Sequence, residues 1–265
     1  MKAETRHSGI WQLSSTVLPV GDGCIVVDPG YFPRELAELV ALCQAHGGAR
    51  AVVFTHGHWD HVIGWSAFPD APVWTSPSLA EAICTGSARA SKDLADAREF
   101  DGRWYVERPA ALSWPPAERV EALRDGGLRR AGALTLQSML LPGHSPDGLA
   151  LLVEEAGLLL VGDYLSPCEI PFVEDLAAYR ATLERLLSLL GGAVRQVIPG
   201  HGPVLSAEEA RQIAVADLRY LNELQTCATL GDPARAVALP LPRAAAVPGM
   251  AEHHRENCRA AGLRL

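Results

Sequence analysis

Apolar residues fall into short runs broken by glycine, proline and polar turns, and the period within the runs changes along the chain. Residues 16–20 and 24–28 flank Gly21-Asp22-Gly23, which predicts a hairpin whose glycines supply the positive φ of a tight turn. From Pro33 onward Leu36, Leu39, Val40 and Cys43 recur at helical spacing, and Gly47-Gly48 stops that helix. Residues 51–54 are all apolar, the pattern of a strand covered on both faces. They run directly into Thr55-His56-Gly57-His58-Trp59-Asp60-His61, a polar loop at a strand's carboxyl end, where chemistry gathers.

Residues 76–131 are less regular. Ser76-Pro77 predicts a helix cap and first turn, and a second helix is expected from near Pro116 to Gly126-Gly127. Between them, residues 100–116 place Trp104, Tyr105 and Trp114 among turn-formers, the composition of either a loop-rich insertion or a lid over substrate. Strand signals return at 134–141, 149–153 and 158–161, the last two joined as a hairpin at 154–157. Leu176, Tyr179, Leu183, Leu186, Leu187 and Leu190 mark one face of an amphipathic helix over 174–190. Residues 194–198 read as a strand that ends in Pro199-Gly200-His201-Gly202. Ser206 with Glu209 forms a capping box for the helix carrying Ile213, Leu218, Leu221 and Leu224. The Ala/Pro-rich tail at 233–248 reads as extended, and a short helix is expected from Met250. Residues 1–232 are thus expected to form one domain with an insertion at 76–131, on which 233–265 packs. Two β-rich layers flanked by helices give an α+β fold class.

Composition narrows the class. A chain of 265 residues that is 48% hydrophobic and 20% charged can bury a sizeable core without disulfides. Its net charge of −8 disfavours a protein whose task is gripping nucleic acid or an anionic membrane. No apolar run approaches the roughly 18 residues of a membrane span. Residues 1–15 hold no apolar core of signal-peptide length, so a cytoplasmic location is expected. The six cysteines are widely spaced, as expected of buried reduced thiols.

The chemistry gathers in histidine and aspartate. His56, His58, Asp60 and His61 lie within six residues. Alternate positions 56, 58 and 60 would project to one side of an extended segment, with His61 pointing towards a second centre. Imidazole and carboxylate without thiolate suit an open catalytic metal site. His144 and His201 each follow a Pro-Gly pair just after an apolar strand, and Asp163 follows the strand at 158–161 in the same manner. Trp59, between ligands, would wall the groove or pack beneath it. Tyr164, beside Asp163, would either place a phenol near the developing oxyanion or pack in the core. His253 and His254 are expected to face solvent.

These residues resemble the metallo-β-lactamase-fold hydrolase superfamily, whose His-x-His-x-Asp-His motif is followed by a histidine, an aspartate and a final histidine. All seven stand in order here: His56, His58, Asp60, His61, His144, Asp163 and His201. The resemblance implies a four-layer αββα sandwich with two metals in a groove at one edge. His56, His58 and His144 would hold the first; Asp60, His61 and His201 the second; Asp163 would bridge them. It implies two zinc ions per chain, with iron or manganese as alternative occupants. True β-lactamases of the superfamily carry a cysteine where Asp163 stands, or lack the bridging aspartate. Flavodiiron oxygen reductases carry glutamate where His58 stands, and the RNA-processing nucleases add a basic insertion. What remains resembles glyoxalase II-like thioesterases and lactonases.

The expected reaction is attack of a metal-bridging hydroxide on a carbonyl ester, thioester or lactone, with Asp60 orienting the nucleophile. The expected partner is a small acyl molecule, bound along Trp59, Trp104, Tyr105 and Trp114, with neither nucleic acid nor membrane involved. A mononuclear-iron persulfide dioxygenase-like enzyme and a phosphodiesterase of the same fold are the alternatives.

Overall fold

The computed structural model describes residues 2–243 and 249–265. The first sheet contains β1 (Glu4–His7), β2 (Ser14–Pro19), β3 (Cys24–Val27), β4 (Ala49–Val53), β5 (Val73–Thr75) and β6 (Val120–Ala122), in that spatial order. The second contains β7 (Leu128–Ala131), β8 (Leu134–Leu140), β9 (Leu149–Val153), β10 (Leu158–Leu160), β11 (Gln196–Ile198) and β12 (Leu205–Ser206), again with sequence neighbours side by side.

The two-residue period of the strands sorts their side chains into layers. Ile25, Val27, Ala51 and Val53 point between the sheets and meet Leu149, Leu151, Leu158 and Leu160 from the other side. The alternate residues Cys24, Val26 and Val52 face outward under α1 (Pro33–Ala45). Ala150, Leu152, Leu159 and Val197 likewise face outward, under α5 (Leu176–Leu190) and α6 (Ala207–Leu230). Helix, sheet, sheet, helix is the four-layer α+β sandwich expected from the sequence. Each fully buried aliphatic residue contributes about 1.5–3 kcal/mol, so the sheets form a stiff frame for the loops at their edges.

That frame sets where the chemistry sits. β3 and β4 are parallel, so their carboxyl ends open on the same edge of the first sheet. β10 runs parallel to β11 and antiparallel to β9, which in turn opposes β8. The carboxyl ends of β8, β10 and β11 therefore open together. Loops from five strands meet at one end of the sandwich.

Several local expectations needed correction. The helix expected from Pro116 is a single 3-10 turn, Ala117–Arg119, followed by β6, because Val120–Ala122 pairs with β5 at the sheet edge. The irregular stretch before it is mostly helical: α3 (Pro77–Thr85), capped by Ser76 as expected, leads into α4 (Ala88–Trp104). In the tail, α7 (Pro233–Val237) is helical, with the Asp232 side chain accepting from Arg235 N as its cap. Residues 244–248 of the expected extended tail lie outside the described residues. The final helix forms as α8 (Met250–Ala260). Five of the six cysteines are buried, and all six are free thiols.

Candidate metal centre

Beyond β4 the chain bends at His56, carries His58 on extended backbone, and then turns into α2 (Trp59–Val62). That turn changes where Asp60 points. Instead of converging with His56 and His58 it joins His61, its neighbour on the short helix, opposite His201. The groups able to hold metal are His56, His58, His144 and Asp163, and separately Asp60, His61 and His201, each with ligand atoms within 4.8 Å of one another.

In the first cluster His58 Nδ1 lies 3.0 Å from His56 Nε2 and 3.1 Å from His144 Nε2. In the second, His61 Nε2 and His201 Nε2 are 3.2 Å apart, with Asp60 Oδ2 3.6 and 3.5 Å from them. Asp163 stands between the clusters. Its Oδ2 lies 3.4 Å from His56 Nε2 and 3.3 Å from His144 Nε2. Its Oδ1 lies 3.1 Å from His61 Nε2 and 3.5 Å from His201 Nε2. One oxygen faces each cluster, the arrangement a bridging carboxylate requires.

The outer nitrogens decide what the inner ones are. His144 Nδ1 donates to the Phe172 carbonyl, His201 Nδ1 to the Trp11 carbonyl, and His61 Nδ1 to Asp28 Oδ2. His56 Nδ1 donates to Thr55 Oγ1, which itself donates to Asp28 Oδ2. A neutral imidazole that donates from one nitrogen presents a lone pair at the other. With both rings neutral, the inner nitrogens of His61 and His201 face each other as two acceptors, a repulsive contact that a proton or a metal cation between them relieves. Asp163 Oδ1, buried and without a hydrogen-bond partner among the described residues, has the same need. The residues present fit a pair of divalent ions held by nitrogen and oxygen.

Two glycines make the convergence sterically feasible. A Cβ at Gly200 would overlap Asp163 Oδ1 and come within 2.9 Å of His61 Cε1. Gly143 has φ +129°, and a Cβ there would overlap the backbone of Tyr179 on α5. The two Pro-Gly-His segments are thus glycine-dependent because a ligand or a helix occupies the missing side chain's place.

Asp28 was not among the residues singled out from the sequence. It directly follows β3 in the left-handed conformation at φ +49° and accepts from Thr55 N, Thr55 Oγ1 and His61 Nδ1. The signal was there: an aspartate directly after an apolar strand, the rule that picked out Asp163.

Electrostatics follow from this crowding. Burial opposes ionisation of Asp163, but His61, His201 and His56 around it hold its carboxyl well below the usual carboxylate range. Burial opposes charge on His61 too, and Asp163, Asp60 and Asp28 outweigh it, raising that imidazole well above its ordinary value. His58, with burial dominant and His56 and His144 beside it, is pushed well below. Burial likewise drives the Glu169 carboxyl up to about 7.

A cavity of about 940 Å³ opens over both clusters. Trp11 and Trp59 form one side, α4 contributes Arg89, Lys92, Asp93 and Asp96, and the segment before α5 contributes Glu169, Phe172 and Val173. Met250, His253, Glu256 and Asn257 of α8 close the far side. Trp59 walls the cavity and also packs on Tyr31 and Phe100. The other aromatic expectations are corrected. Trp104 and Tyr105 are 61% and 90% exposed at the end of α4, and Trp114 donates to the Ala90 carbonyl; none of them lines the cavity. Tyr164 is buried under the His144 loop, donating to the Pro142 carbonyl and accepting from His144 N, so its phenol braces a ligand instead of facing the cavity. His254 is buried, bonded to Tyr220 and the Ala236 carbonyl, and His253 stacks on Phe172.

With this geometry in place, comparison with known proteins is decisive for the family. Residues 9–201 match the metallo-beta-lactamase superfamily. The chain belongs to that superfamily. Among relatives of this superfamily member, the atrochrysone carboxyl ACP thioesterase AgnL7 of Paecilomyces divaricatus is 27% identical over 186 residues, covering 68% of this chain and 49% of that protein. The probable metallo-hydrolase YqgX of Bacillus subtilis is 25% identical over 215 residues, covering 77% and 91%. The solved structure of TTHA1623 in a di-iron-bound form aligns with a TM-score of 0.57 at 29% identity, over 78% of this chain and 96% of that one. The chain spans about half the length of the fungal relatives it matches.

Proposed function

We propose that the protein is a dinuclear-metal hydrolase of carbonyl esters, with thioesters the preferred class and lactones a second. The observation that carries this reading is Asp163, whose two oxygens face two separate ligand sets at the floor of one cavity. When bound, two divalent ions supply acidified water as nucleophile and polarise the carbonyl oxygen. His56, His58 and His144 would hold one ion, and Asp60, His61 and His201 the other, with Asp163 shared. Asp60, at the cavity floor, orients the attacking water by accepting its hydrogen bond. Trp59, Phe172, Val173 and Met250 exclude bulk water and bind the acyl chain. The zinc pair is the expected occupant, and the di-iron relative makes iron the first alternative.

The cavity rim favours acyl over phosphodiester substrates. Its two bases are already committed: Arg89 makes two 2.9 Å bonds to Glu174, and Lys92 pairs with Asp96 at 2.5 Å. Glu256 adds a carboxylate, and Asp93 and Glu169, whose carboxyls burial raises to about 7, add negative charge only above that pH. A nucleic-acid backbone needs free cations to neutralise its phosphates. The thioesterase function named for AgnL7 supports the thioester choice.

The test is a panel of acyl thioesters, aryl esters, lactones and a bis-aryl phosphodiester, compared by kcat/KM, with metal content measured on the same protein. The expected result is two metals per chain and preference for the thioester. A phosphodiester preferred by about tenfold, roughly 1.4 kcal/mol of transition-state binding, would overturn the substrate class. One iron per chain with oxygen consumption would overturn the hydrolase itself.

A further inference from the structure

The segment that holds His144 in place is itself held, residue by residue, from the C-terminal end of the chain. Arg243 Nε donates to the Glu169 carbonyl at 2.7 Å. Ile170 N donates to Met250 Sδ at 3.5 Å. Asn257 Nδ2 donates to the Pro171 carbonyl at 2.6 Å, and Asn257 Oδ1 accepts from Val173 N at 2.9 Å. Between those two bonds Phe172 is gripped through its ring, which stacks on His253 with centroids 3.9 Å apart. The carbonyl of that same Phe172 accepts the Nδ1 proton of His144 at 3.0 Å.

We infer that α8 is a working part of the metal centre and that Asn257 is a positioning residue for His144. Asn257 is about 1% exposed and makes a bidentate bond to the backbone on either side of Phe172, so it fixes the peptide whose carbonyl orients the ligand. Its Nδ2 also donates to Tyr220 Oη at 3.0 Å, and that oxygen meets His254 Nδ1 at 2.8 Å, which anchors the clamp to α6. An amide with both ends used in this way has one orientation open to it. The Phe172 carbonyl selects the tautomer of His144 and thereby aims the Nε2 lone pair at the first cluster. The family match ends at residue 201, so this brace is supplied by sequence outside it. The second cluster has no such dependence: its outer nitrogens go to Asp28 and the Trp11 carbonyl.

The inference rests on the reading that the seven residues hold two ions, but not on the substrate. The experiment strips the full chain with a chelator and titrates it with Zn(II) alone by calorimetry, in wild type, Asn257→Ala, His253→Ala and the exposed α8 control Glu252→Ala. The two binding steps are assigned with His58→Ala and His61→Ala, each of which removes a ligand of one cluster. Loss of such an outer hydrogen-bond partner weakens metal binding by about 10–100-fold. Asn257→Ala is expected to weaken the first-cluster step by that factor and leave the second within about twofold. His253→Ala is expected to weaken the same step by less, and Glu252→Ala to change neither. Parallel weakening of both steps, or no change in either, would refute the positioning role. If Asn257→Ala does not fold, His253→Ala decides on the same criterion. A wild-type chain that takes up no zinc would instead sink the metal-centre reading.

Discussion

His61 and His201 hand their outer nitrogens to Asp28 at the end of β3 and to the Trp11 carbonyl, groups that precede the metal motif in the chain. His144 hands its outer nitrogen to Phe172, on a segment clamped by residues that follow the motif by far. The two clusters use the same chemistry and share Asp163, yet His61 is braced by a carboxylate just past β3 and His144 by a carbonyl on a loop. His61, and His56 through Thr55, are therefore fixed from the end of β3. His144 depends on how firmly α8 is docked.

The largest effect is expected where the comparison collapses, at the residue both clusters share. Asp163→Ala should lower bound metal below two ions per chain and reduce turnover by about 10³-fold or more, while circular dichroism stays close to wild type. The buried sheet interface does not pass through the site, which is why folding should survive. Wild-type turnover in this variant would remove the bridging role.

A smaller and selective effect should mirror the α8 clamp. Asp28→Ala removes the acceptor of His61 Nδ1 directly and that of Thr55, which holds His56 Nδ1, so it should weaken the second step of the zinc titration by about 10–100-fold and the first by less. Equal weakening of both steps would mean that the clusters are not separately braced.

The smallest effect belongs to the cavity wall that braces neither cluster. Asp93 on α4 has its carboxyl pushed up to about 7, mainly by burial, against the opposing pull of Arg89. Its folded value lies above the unfolded value of about 3.9, so the fold favours the neutral form. That contribution is present below about pH 4 and is lost as pH rises towards 7. Asp93→Asn should therefore melt higher than wild type at pH 8, by about 2–4 °C for each kcal/mol recovered, with the difference vanishing near pH 4. Melting curves across that range are the check, and zinc affinity should be unchanged at both steps. A shift of the opposite sign would assign Asp93 a paired, charged role.

The four central strands of the second sheet, β8 to β11, and both Pro-Gly-His segments were legible in the sequence because each depends on a local pattern: an apolar strand, a glycine that lets the chain turn, and a ligand at the strand's end. α4 was not legible. Its buried face is Ala90, Asp93 and Ala97, with no stripe of large apolar residues to reveal a period. The aromatic residues at its far end were placed over the cavity because composition says nothing of the direction in which a helix runs. His254 was expected at the surface for a related reason, since only α6 and α7 packing on α8 covers it.

The sequence by itself determined the α+β class, most of the strands and helices, and the seven residues that could hold metal, since each is fixed by spacing within a few positions. Only the tertiary structure decided which nitrogen of each histidine faces inward and what holds it there. A ring nitrogen's role is set by the hydrogen bond made at the opposite nitrogen. For His144, His61 and His201 those partners lie 28, 33 and 190 residues away along the chain, beyond the reach of any local pattern, whereas His56 is held by its neighbour Thr55.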